Sequence, residues 1–428
     1  MYQQFIEGLK ADMKAAQLFP LKNQAELSTK ILKERLETVL PWAMEQSKID
    51  FWLVMSRENC EDPIIRTLFT WDMPEARRVS ILAFHRDCAT GVIRKMSVGM
   101  QSPEMASIYE NVQSKEETVW QALARIIKEI KPVKIGVDRS AIYGFCDGLS
   151  STLLECLKDA VGEEYALRIC DAEELTVRWL QRVCPTEKST MESLVNVTNK
   201  IVNFTFSKEF IRPNKTTTTD VEWAMRDIIS EIGYNYWFGP DVDLQREGNP
   251  TTRMFNEVIQ PGDLLHCDIG INGLYLHLHT DMQWVAYILK NGETEAPKEL
   301  EGLLATGNDF RDIVRGEMQE NRTGNEVFEA AIKKAREKGI TPMLYTHPLG
   351  TFGHGAGPTV GLYTNQGFVK GAGERCIEDK TCYALELNVC KNLELWKGQN
   401  VFMYLEEDIC KDGTVEFLDG YQKHLMLI

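Results

Sequence analysis

The sequence predicts two domains of mixed class, an N-terminal α/β domain over residues 1–175 and a C-terminal α+β domain over residues 185–428. Three observations lead to this. At 428 residues the chain is too long for one ordinary core. Its first part alternates helix-period with strand-period segments, whereas strands dominate from Asp263 onward, with two helices between them. The two regions meet at Val183-Cys-Pro-Thr-Glu-Lys-Ser-Thr, where Pro185 blocks a continuing helix.

Residues 24–46 read as a helix, and Ile49-Asp-Phe-Trp-Leu-Val-Met as the first strand. Two more strands follow over 79–84 and 92–98. Trp120, Leu123, Ile126, Ile127 and Ile130 recur at helical spacing over 116–130. A short strand at 134–138, a helix over 147–160 and a strand at 166–170 complete the domain. Nothing in it clusters chemistry. Beyond the boundary a long helix covers 187–211. Thr219-Asp-Val-Glu222 then reads as a capping box, in which hydroxyl and carboxylate satisfy free amides at a helix start. Val221, Met225, Ile228, Ile229 and Ile232 form the apolar stripe of that helix, and Gly233 ends it. The two later helices are expected over 297–318 and 324–338.

A net charge of −15 argues against nucleic acid, which is bound through basic surface. Eleven scattered cysteines, with no Cys-x-x-Cys pair, read as free thiols in a reducing compartment. The N-terminus lacks a basic region followed by an apolar stretch, and no run approaches the ~18 apolar residues of a membrane span. The expectation is a cytoplasmic protein with no membrane partner.

The chemistry is concentrated in Asp268, Asp281, His354, Glu386 and Glu406. Asp268 lies in Leu-Leu-His-Cys-Asp-Ile-Gly, Glu386 in Ala-Leu-Glu-Leu-Asn-Val and Glu406 in Phe-Met-Tyr-Leu-Glu-Glu-Asp-Ile. A charge in such an apolar strand is expensive unless something pairs with it. Four carboxylates and one imidazole suit a pair of divalent cations. Alternation puts Glu406 and Asp408 on one face and Glu407 on the other. It also turns Cys267 away from Asp268, as a core thiol. Gly353-His354-Gly-Ala-Gly-Pro358 sets an imidazole among glycines, where backbone and ligand approach closely. A phosphate-binding loop competes for that segment but lacks the P-loop lysine. His347, in Thr-His-Pro, is a second imidazole nearby, either functional or a turn histidine. His277 and His279 precede Asp281 on one expected strand face, as supporting or substitute ligands or as rim residues.

The segment between the aspartates gives conflicting signals. Asn272-Gly273 is a strong two-residue turn signal that would pair Asp268 with His277 and leave Asp281 opposite Leu264. Two carboxylates set opposite each other, Cβ atoms ~5 Å apart, would instead flank a cation. The reading adopted is a longer or bulged connection, centred near Leu274-Tyr275, that brings Asp281 opposite Asp268.

The order Asp, Asp, His, Glu, Glu, behind a smaller α/β domain, resembles the creatinase, aminopeptidase P and prolidase branch of the M24 family. The matching blocks are Gly262-Asp…Asp268-Ile-Gly, Thr280-Asp281, Gly353-His354-Gly, Glu386 and Leu405-Glu406-Glu407-Asp408. The resemblance implies a pita-bread catalytic domain with an N-terminal creatinase-like domain, and frequent homodimers. It implies two divalent metal ions, manganese first, with cobalt, zinc or iron as alternatives. Asp281 would chelate one metal, His354 would complete the other, and Asp268 and Glu406 would bridge. Glu386 would be both ligand and proton shuttle for a bridging hydroxide, and His347 would stabilise the oxyanion. The implied activity is hydrolysis of short peptides by an exopeptidase similar to Xaa-Pro aminopeptidase or prolidase. Alternatives are a creatinase-like hydrolase of a non-peptide C–N bond and a non-catalytic binding protein; both predict ligand loss, which is not seen. Three departures from the family pattern stand out. The aspartates are thirteen apart here. No histidine lies within Gln245–Asn256, and Leu362-Tyr-Thr-Asn-Gln replaces the usual downstream Val-His-Glu/Asp.

Overall fold

The computed structural model describes residues 2–428. The chain forms two compact units, Ala25–Thr186 and a second made of the segment ending at Gln24 with Glu187–Ile428. The division falls inside α2 (Leu21–Ser47), so the preceding α1 (Tyr2–Ala15) groups with the C-terminal unit.

In the unit Ala25–Thr186, β1 (Phe51–Arg57), β2 (Val79–Arg86), β3 (Ile93–Val98), β4 (Glu110–Asn111), β5 (Ile135–Val137) and β6 (Ile169–Asp171) build one sheet, ordered β4-β3-β2-β1-β5-β6. β1, β2 and β3 are antiparallel, and β5 and β6 run parallel to β1. The helices are α3 (Pro103–Ala106), α4 (Val119–Ile130), α5 (Ser151–Val161), α6 (Glu163–Ala166) and α7 (Glu173–Gln181). The stripe on α4 is buried at Leu123, Ile126 and Ile127, in one cluster with Phe51, Leu53 and Ile81 of the sheet. Burial of such side chains is worth about 1.5–3 kcal/mol each, enough to fix α4 on that face.

The boundary before Glu187 falls in the first turn of α8 (Pro185–Thr205), where Pro185 starts the helix because the first turn needs no amide donor from it. α9 (Thr218–Glu231) follows. Its capping box is Thr217 with Asp220, not Thr219 with Glu222: Asp220 N donates to Thr217 Oγ1 at 3.0 Å and Thr217 N to Asp220 Oδ2 at 2.8 Å. Glu222 instead accepts from Val242 N at 3.1 Å, which ties the helix to the sheet.

The remaining strands are β7 (Tyr234–Tyr236), β8 (Asp241–Gln245), β9 (Leu264–Ile269), β10 (Ile271–Gly273), β11 (Met282–Tyr287), β12 (Thr341–Leu344), β13 (His347–Leu349), β14 (Thr381–Leu393), β15 (Gln399–Asp412), β16 (Thr414–Phe417) and β17 (Met426–Leu427). The main sheet runs β12-β14-β15-β11-β9-β8, with β13 also on β14. Helices α10 (Lys298–Glu317) and α11 (Gly324–Glu337) cover one face. Leu385, Leu387, Met403 and Leu405 point into that helical core, together with Leu303, Phe310 and Val327. Period-two alternation therefore turns Glu386, Glu406 and Asp408 to the opposite face. Glu407 is the one acid of its run on the helix side, where Arg311 of α10 meets it at 2.6 Å with both side chains 1% exposed.

Candidate metal centre

Sheet register assembles the site. Asp241 pairs with Asp268, Asp268 with Gln283, Gln283 with Glu406 and Glu406 with Glu386. Five strands thus contribute one residue each to a row across the face of the sheet away from α10 and α11. Asp281 is not opposite Asp268, as expected, but two residues beyond the position of Gln283. Ile271–Gly273 leaves the main sheet to pair with β7, so the connection is long and β11 starts only at Met282. The Asn272-Gly273 signal therefore makes no tight hairpin, because its strand finds another partner. His277 and His279 consequently lie in the connection and not on a strand. His277 adopts φ 49°, and His279 bridges Asn272.

Two groups of metal-ligating atoms converge. Asp281, His347 and Glu406 form one; Asp268, Glu386 and Glu406 form the other, each within 4.8 Å. Glu406 is common to both. His347 Nε2 lies 3.4 Å from Asp281 Oδ2 and 3.9 Å from Glu406 Oε1. The strand β13 delivers it, since His347 pairs with Ala384, two residues from Glu386 on β14. Its Nδ1 donates to Pro348 O at 3.1 Å, which fixes the tautomer and leaves the Nε2 lone pair free. Burial, with His354 adjoining, pulls the His347 pKa down to about 3, so the ring is neutral at physiological pH. Its neighbour His354 is exposed and belongs to neither group; its ring meets that of His347 edge-on at 4.6 Å. Trp237 closes the same wall, 5.2 Å from His354 and 6.1 Å from His279, with its indole N–H donating to Thr280 O at 2.9 Å.

The electrostatics show an excess of negative charge. Desolvation, then neighbouring carboxylates, holds Asp281 and Glu406 well above the usual carboxylate range. Glu386 is raised by desolvation and then by Asp268, and Asp268 is pushed up to about 6 chiefly by desolvation. Asp408, which accepts from Asp281 N at 3.2 Å, is raised by burial. So many acids cannot ionise together without a cation. Asp268 Oδ1, Glu406 Oε1 and His347 Nε2 are buried without hydrogen-bond partners. Unpartnered oxygen and imidazole atoms that converge in this way fit a divalent ion.

Other residues of the site went unread in the sequence. Gln283 Nε2 donates to Glu386 Oε1 at 2.6 Å and Glu406 Oε2 at 2.9 Å. His266 joins Gln283 to Asp243, which also accepts from Arg253 Nε at 2.7 Å. Alternation could have found Gln283 from Asp281 and His266 from Asp268, each two residues away on the same face.

The model of metallopeptidase family M24 matches residues 189–411. The chain belongs to family M24. Members of this family use divalent metals. Comparison with curated proteins finds no match. Among solved structures, the X-Pro aminopeptidase of Thermotoga maritima is 16% identical with a TM-score of 0.64, covering 90% of this chain and 100% of that one. The Xaa-Pro dipeptidase of Bacillus anthracis is 15% identical with a TM-score of 0.62, covering 93% and 100%. The N-terminal domain of the FACT complex subunit SPT16 from Eremothecium gossypii is 12% identical with a TM-score of 0.58, covering 94% and 99%. At these identities the likeness is one of fold: the pita-bread domain with an N-terminal domain. Among the described residues no helix is long and apolar enough to cross a membrane.

Proposed function

We propose that this chain is a metal-dependent exopeptidase acting on short peptides, with two divalent cations of which manganese is the first candidate. Asp281, His347 and Glu406 would hold one ion, and Asp268, Glu386 and Glu406 the other. The observation that carries this reading is the pair of ligand groups that share Glu406, each within 4.8 Å, in which Asp268 Oδ1, Glu406 Oε1 and His347 Nε2 are buried without hydrogen-bond partners. A non-catalytic role on the same fold gives no reason to keep them so. Divalent cations held by these residues would supply Lewis acidity, polarising a peptide carbonyl and lowering the pKa of the attacking water.

The chain's own groups supply the rest. Glu386, half-buried, takes a proton at its carboxylate and passes it to the leaving amine. His347 takes the ligand role expected of His354. His354, exposed beside Trp237, faces substrate instead and supplies the imidazole missing from Leu362–Gln366. Trp237 shields this side from water. A reducing, cytoplasmic setting accords with eleven free cysteines.

Elemental analysis after reconstitution with manganese, cobalt or zinc tests the reading. Close to two ions per chain is the expected result, followed by hydrolysis in a dipeptide and Xaa-Pro library. Absence of bound metal overturns it.

A further inference from the structure

Gln283 is the uncharged member of a row otherwise made of Asp241, Asp268, Glu406 and Glu386. It is 2% exposed, and the proposed reaction gives it no task. Its orientation is dictated by its neighbours. The amide nitrogen faces Glu386 Oε1 and Glu406 Oε2, at 2.6 and 2.9 Å. The amide oxygen is then left to His266 Nε2 at 3.1 Å, which must donate. His266 is itself held, its Nδ1 2.8 Å from Asp243 Oδ2, and Arg253 braces Asp243 from the other side. Flipping the amide would set its carbonyl oxygen against two carboxylates and lose His266. The two oxygens of Glu406, the residue common to both ligand groups, also have different surroundings. Oε2 takes the Gln283 amide, whereas Oε1, with no hydrogen-bond partner, lies toward His347.

We propose that Gln283 is a loading gate for one of the two metal positions. Its amide holds the place between Glu386 and Glu406 that a cation entering the Asp268–Glu386–Glu406 group must take. The ions therefore load in a fixed order, with the Asp281–His347–Glu406 group filled first. The inference rests on the two-ion reading above and names the residue that ranks its positions. Gln283 is a positioning residue: it acts on Glu386 and Glu406, not on substrate.

Titration of the purified full chain with manganese chloride alone, followed by calorimetry, tests it. The wild type should bind the second ion about tenfold or more weakly than the first, because each hydrogen bond to a carboxylate that must be surrendered is worth about a factor of ten. Gln283→Met keeps the volume and removes the donor; Gln283→Ala removes both. In either variant that melts as a folded protein, the second step should tighten by about tenfold with the first unchanged. A wild type that binds a single ion while a variant binds two gives the same support. Two equivalent ions in the wild type, or an unmoved second step in the variants, overturns the gate and leaves the metallopeptidase reading standing. No ion in any form overturns that reading, and the gate with it.

Discussion

Replacing His347 with alanine separates the two candidate imidazoles. A ligand that binds only the folded state, present at about 100 times its dissociation constant, stabilises it by about 2.7 kcal/mol. For a unit the size of the C-terminal one, that is a rise in melting temperature of about 5–10 °C on adding manganese. His347 Nε2 is 3.4 Å from Asp281 Oδ2 with no hydrogen-bond partner, so His347→Ala removes one of three donors from its group. Losing even a residue that supports a ligand costs about 10–100-fold in metal affinity. At the same metal concentration a loss of that size leaves about 0.4–1.4 kcal/mol, so the shift should shrink to about 1–5 °C. His354→Ala, outside both groups, should keep it. The assay is thermal melting of each variant with and without manganese; taking the difference cancels any packing loss, such as the edge-on contact at 4.6 Å. A shift that survives His347→Ala and disappears in His354→Ala would refute the assignment.

Three other outcomes follow from the structure. Asp138 is buried, accepts from Trp52 Nε1 and Thr176 Oγ1, and adjoins the carboxyl of Asp62; burial pushes its pKa from 3.8 up to about 6. A raised folded-state pKa favours folding below about pH 4 and costs stability as pH rises through 6, so Asp138→Asn should stabilise the N-terminal unit at pH 8 by up to about 3 kcal/mol and flatten its pH profile in urea melts. Arg311→Met leaves Glu407 buried without its cation and should cost about 3–5 kcal/mol in urea unfolding, most of it recovered by adding Glu407→Met. Gly353→Ala places a Cβ 2.4 Å from Trp237 Cε2; the indole must move, and peptide turnover should fall while manganese content stays constant.

The sequence disclosed most where a regular period governs the chain. Glu406, Glu407 and Asp408 were assigned to opposite faces because β15 keeps its alternation, and the α4 stripe is buried because a 3.6-residue period leaves it no other option. Local signals misled where the chain had a choice of partners. Asn272-Gly273 has the chemistry of a tight turn, but Ile271–Gly273 pairs with β7, which lies some thirty-five residues earlier. Likewise four threonines in succession offer several helix caps, and contact between Glu222 and Val242 selects Thr217. Glycines flank His354, a local signal of close ligand approach, whereas a proline follows His347, a local signal of a turn. What sets His347 between Asp281 and Glu406 is the pairing of β13 with β14, a long-range choice that no local pattern records. Gln283 escaped because an amide does not look like part of a metal site, though its spacing from Asp281 was legible.

The central claim is that Glu386 and the carboxylate–histidine cluster hydrolyse peptides, and Glu386→Gln tests it most directly. Side by side, wild type and variant are loaded with manganese, their metal content is measured, and each is assayed on dipeptide and Xaa-Pro substrates. The amide keeps one oxygen for the metal but cannot carry a proton, so a loss of turnover of about 100-fold or more with metal still bound is predicted. Near wild-type hydrolysis by the variant, or no hydrolysis of any peptide by the metal-loaded wild type, would contradict the account.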